Sequence, residues 1–142
     1  MRAVQQLRRF FRVNAQKSTT PQQASAQPPP QVTLDDVERV VCRDFPASEY
    51  GVVMAMVGEY GTEKRHREPV RVQLAALKVA NGSVQKLRAC LEAAKRDYRD
   101  ALAAAEYPAY CKLGFRTREL PAEERRRIID SDWQQYQEWL KR

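Results

Sequence analysis

The sequence predicts an all-α fold, a compact bundle of about five helices. Three observations carry this reading. Apolar residues recur at spacings of three and four throughout residues 32–142. Capping and stop residues punctuate those runs at the right places. No segment shows the sustained alternation of β-branched residues that a half-buried strand needs.

Thr33 is placed to cap a first helix over 34–44, with Asp35 and Asp36 in its favourable first turn and Leu34, Val37, Val40 and Val41 on one side. Pro46 closes it, and Ser48 is the expected cap of a second helix through Val52, Val53, Met56 and Val57, stopped by Gly61. Residues 62–68 read as a charged connection. Pro69 suits the first turn of a third helix ended at Gly82. Ser83 then caps what the periodicity predicts to be one long fourth helix, Val84 to Ala105, fixed at its end by Pro108. Residues 108–120 are expected to cross irregularly. Pro121 opens a fifth helix lined by Ile128, Ile129, Trp133, Tyr136, Trp139 and Leu140. Short loops make neighbouring helices roughly antiparallel.

Three regions follow from composition: a basic amphipathic leader (1–17), a Pro/Gln/Ser-rich linker (18–31) and the helical domain (32–142). The chain has 142 residues and a formal charge of +7, but the charge is uneven. Residues 1–31 hold Arg2, Arg8, Arg9, Arg12 and Lys17 and no acid, leaving +2 for the rest. In the leader Ala3, Val4, Leu7, Phe10 and Phe11 share one arc of a helix, with arginines opposite or flanking. Such a segment suits a membrane surface, a partner protein or an organellar presequence. The linker has no aromatic, large aliphatic or charged residue, so it cannot bury enough apolar area to offset the entropy of ordering it. No run of 18 apolar residues exists for a membrane span. An intracellular, cytoplasmic location is expected, or an organellar one if residues 1–17 are a presequence.

Catalytic and cofactor motifs are sparse. Cys42, Cys90 and Cys111 form no CxxC, and Cys90 falls on an apolar helix face beside Leu87 and Leu91. His66 is the single histidine, which removes histidine zinc triads and the paired Glu-x-x-His of di-iron bundles. No phosphate-binding glycine loop and no G-x-S-x-G occurs. Gly58-Glu59-Tyr60-Gly61 reads as a helix terminus. No cofactor is expected.

The leading functional expectation is therefore a non-enzymatic protein-interaction domain, with Glu106, Tyr107, Tyr110, Trp133, Tyr136 and Trp139 as candidate contact residues. Trp133, Tyr136 and Trp139 drift around the last helix, so one of them is expected to remain at the surface. Membrane or partner contact by the leader falls to Arg2, Leu7, Arg8, Arg9, Phe10, Phe11 and Arg12. A second expectation is DNA binding by a helix-turn-helix-like pair near 70–107, using Arg71, Gln85, Lys86 and Arg88. A third is an enzyme with carboxylates at Asp97, Asp100 and Glu106.

From Glu59 onward, about 80 residues resemble a group of small bacterial helical proteins of unknown function. The pieces are Arg71 to Lys78, the block Asp97-Tyr98-Arg99-Asp100 through Ala105-Glu106-Tyr107-Pro108, and Asp132-Trp133 with Tyr136, Trp139 and Leu140. The resemblance implies a compact helical domain and carries no activity or ligand.

Overall fold

A computed structural model describes residues 28–142, in which seven α-helices and two 3-10 turns form an all-α bundle with no strand. The helices are α1 (Leu34–Asp44), α2 (Tyr50–Gly58), α3 (Pro69–Ala80), α4 (Val84–Arg96), α5 (Tyr98–Glu106), α6 (Pro108–Leu113) and α7 (Ala122–Lys141). The 3-10 turns cover Ala47–Glu49 and Gly114–Arg118. The leader and most of the expected linker lie outside the described residues.

Before α1, Val32 packs against the core. Asp36 accepts a hydrogen bond from the Thr33 backbone N–H at 2.9 Å, tying the first turn to its cap. Val37, Val40 and Val41 are buried as the pattern predicts, but Leu34 is 64% exposed. Ser48 does not cap α2. It lies within the 3-10 turn, and α2 begins at Tyr50, one residue later than a Ser48 cap would place it.

Helix α3 is the axis of the bundle. Every side chain from Arg71 to Leu77 is buried, and the helix packs against α1, α4 and α5. Its end needs left-handed backbone at Asn81 and Gly82, with φ of 49° and 82°. A Cβ on Gly82 would stand 3.0 Å from the Asp44 carbonyl oxygen, so glycine there also admits the end of α1.

The expected long fourth helix is two helices. Ser83 caps α4 by accepting from the Lys86 N–H at 3.2 Å, as its position predicts. Asp97 then leaves the helical path (φ −147°, ψ 101°), and its carboxylate accepts from the Arg99 N–H at 3.1 Å to start α5. An aspartate at this point offers the backbone a cap in place of a continued helix. The irregular crossing expected over 108–120 is also regular in part, as α6 and the second 3-10 turn. Asp132, in the middle of α7, accepts from the Ala109 and Tyr110 backbone N–H groups at 3.2 and 2.9 Å and so caps α6.

Cys42 is exposed and Cys90 buried, neither in a disulfide, and burial pushes the Cys90 thiol up to about 12. Among the described residues no helix is long and apolar enough to cross a membrane.

Candidate functional site

The candidate contact residues divide between core and half-buried positions. Arg71 of α3 grips Glu106 of α5 with two hydrogen bonds, Nε to Oε1 and Nη2 to Oε2, both 2.7 Å. Both side chains are almost wholly buried, at 6% and 1% exposure. Burial pushes the Glu106 carboxyl upward and the Arg71 guanidinium pulls it back. The two-pronged contact is the geometry of an ion pair. Arg71 is therefore an internal strut and is withdrawn from the set of candidate DNA contacts.

Around this pair runs a line of rings. Tyr107 stacks on Trp133 at 6.1 Å, Trp133 on Tyr136 at 6.3 Å, and Tyr136 tilts against Trp139 at 5.6 Å. Tyr107 and Tyr136 are buried, whereas Trp133, Trp139 and Tyr110 are half-buried. The Arg43 guanidinium lies 5.0 Å from the Trp139 ring centroid and donates to the Trp139 carbonyl at 2.8 Å. Glu106, Tyr107 and Tyr136 are thus part of the interior, a correction to their reading as contact residues. The expected exposed aromatic of α7 is instead distributed over two half-covered tryptophans.

The three carboxylates do not converge. Asp97 and Asp100 stand at the start of α5 and Glu106 at its end, about 13 and about 9 Å further along the axis at about 1.5 Å per residue. Asp97 is held below the usual carboxylate range by the Arg99 side chain. Asp100 is raised to about 6 by burial and then by the Asp97 charge. Among the described residues no group of three or more His, Cys, Asp or Glu side chains could hold a metal ion. His66, expected in a charged loop, is buried there instead. It stacks on Tyr60 at 4.7 Å, and its Nδ1 accepts from the Gly61 N–H at 3.0 Å. Gln85, Lys86 and Arg88 are exposed on α4.

Sequence reasoning missed the surface that the fold leaves open. The large apolar residues exposed among the described ones are Leu34, Val52 (58%) and Phe115 (57%). The Phe115 ring carries the Arg118 guanidinium at 5.8 Å. Val52 lies on α2, which has no charged residue from Tyr50 to Gly58. A helix apolar all round is ordinarily buried all round. Here Val53, Met56 and Val57 face the core, while Gly51, Val52, Ala55 and Gly58 are exposed.

Gly51 and Gly58 are not required by close packing or by left-handed backbone. Among the described residues a Cβ built on Gly51 or Gly58 meets nothing within 4 Å. Neither has positive φ, and the left-handed residue beyond the helix is Gly61. Glycine inside a helix costs roughly 0.5–1 kcal/mol relative to alanine. The missed signal was available in Gly51-x-x-x-Ala55-x-x-Gly58, a helix segment with small residues on one face.

Compared with protein-family models, curated proteins and solved structures, the chain finds no significant match.

Proposed function

We propose that the chain is a non-enzymatic helical protein-interaction domain, and that it docks its partner on the outer face of α2. The carrying observation is the exposed, uncharged surface of Gly51, Val52, Ala55 and Gly58, whose glycines are not required by close packing among the described residues. Small side chains let a second helix come close, and Val52 supplies exposed apolar area beside them. The test places p-benzoylphenylalanine at Val52 in one chain and at Arg88 of α4 in another, with irradiation in cells. A discrete adduct from position 52, absent from 88 and lost with Ala55→Arg, is the expected result. Equal labelling from both positions overturns the reading.

The basic leader is a second contact element in this proposal. Its apolar arc and arginines suit a membrane surface or a partner. Liposome flotation with and without residues 1–17 tests the membrane version, and equal recovery removes it. DNA binding through α3 and α4 keeps one supporting observation, the exposure of Gln85, Lys86 and Arg88. A mobility shift at low salt that weakens with Lys86→Ala and Arg88→Ala is its test.

A further inference from the structure

We propose that the outer face of α2 is occupied in cis by the chain's own basic leader, through the apolar arc of Ala3, Val4, Leu7, Phe10 and Phe11. The inference rests on the reading of α2 as a docking face and names the occupant. The first argument is charge. Residues 32–60 hold six carboxylates and two arginines, a balance of −4 within a chain of +7. Both arginines are engaged: Arg39 on Asp36 and the Leu140 carbonyl, Arg43 on Asp44 and the Trp139 carbonyl. Glu49 and Glu59 flank α2 at its two ends, Glu38 of α1 accepts from the Tyr50 hydroxyl at 2.8 Å, and Lys95 of α4 reaches Glu59 at 3.8 Å, so the balance stays negative, at −3, once that lysine is counted. Residues 1–17 carry five bases and no acid. An apolar face framed by acids matches an apolar arc framed by arginines.

The same charges disfavour a second copy. Two α2 helices packed antiparallel through Gly51 and Gly58 bring Glu49 of one chain toward Glu59 of the other. Parallel packing sets each glutamate against its like. Attraction requires a basic occupant.

The tether permits the contact. Val32 is packed on the core, so the chain leaves the domain at the start of α1, which packs against α2. From Val13 to Thr33 the chain can span up to about 65 Å at about 3.3 Å per residue. α1 itself is only about 16 Å long at about 1.5 Å per residue. A tether longer than the gap holds the leader near the face at an effective concentration of about millimolar. Weak apolar and ionic contacts suffice at that concentration.

The experiment uses the purified full-length chain, dilute, with p-benzoylphenylalanine in place of Val52, and with Arg88 labelled as control. Adducts are mapped by proteolysis and mass spectrometry. The expected result is an intrachain link from position 52 to residues 1–17, with a yield independent of protein concentration. It falls about tenfold in 1 M salt, where the screening length drops to about 3 Å. It falls similarly in the same labelled chain carrying Ala55→Arg, whose unchanged far-UV circular dichroism shows that the fold is intact. A link to a second copy that grows with concentration overturns occupancy in cis while leaving α2 a docking face. No link from position 52 above the control overturns the inference. An adduct with a different protein in cells, together with that result, shows the docking face to be real and the leader not to be its occupant.

Discussion

Arg71 and Glu106 lie 35 positions apart and meet in the interior, each left with a buried charge if the other is removed. Breaking such a pair from one side costs about 3–5 kcal/mol, whereas replacing both partners by apolar groups of similar size is often neutral. Arg71→Met alone and Glu106→Leu alone are each expected to destabilise by that amount in urea unfolding, and the double variant to recover most of it. Tyr136 is the milder case. Its buried hydroxyl has no hydrogen-bond partner among the described residues, so Tyr136→Phe is expected to be neutral or stabilising by up to about 1 kcal/mol in the same assay. Asp100 sets a pH dependence. Burial raises its carboxyl to about 6, so the folded chain holds that proton more tightly than the unfolded chain, where aspartate titrates near about 4. Its contribution to stability is therefore present below about pH 4 and lost as pH rises to about 6. Asp100→Asn should melt higher than the parent at pH 7.5, with the difference vanishing at pH 3.5.

At the scale of the element, single residues decide where helices stop. Gly82 combines a left-handed backbone with a 3.0 Å approach to the Asp44 carbonyl, so Gly82→Ala strains the turn and pushes α1 away. A loss of about 2 kcal/mol is expected, within the range for strained backbone positions. Asp97→Ala removes the cap of α5 together with the exposed pairing to the Arg99 side chain and should cost about 1 kcal/mol, with helix content by circular dichroism unchanged or higher. The order of these two losses in guanidinium unfolding distinguishes a strained turn from a lost cap. Several boundaries were legible because their signals are local: Thr33, Pro69, Ser83 and Pro121 each stand where the chain's own first turn needs them. Asp97 carries no break signal in the sequence because the apolar spacing continues in register on both sides of it, and that spacing runs through a break without recording it. Helix α6 was missed because the carboxylate that caps its start comes from Asp132, more than twenty residues later.

For the molecule as a whole, α3 is the element on which the others close. It is buried from Arg71 to Leu77, and its neighbours include α1, α4 and α5. Amides of Leu74 to Leu77 are expected to exchange with solvent only through global unfolding, while those of residues 115–120 exchange through local opening. Similar protection in the two segments would remove α3 from its central place. The candidate surface follows from this arrangement. α2 packs through Val53, Met56 and Val57, with Tyr50 and Met54 half-buried beside them, and among the described residues its Gly51, Val52, Ala55 and Gly58 side is left exposed. By itself the sequence determined the helical class, most helix starts and the uneven charge, because periodicity, capping and composition act over a few residues. Tertiary structure alone decided that Arg71 and Glu106 pair inside, that Leu34 and Val52 face outward, and that two glycines of α2 stand open. Those outcomes depend on which helix faces meet, and contacts between residues tens of positions apart leave no periodic trace in the chain.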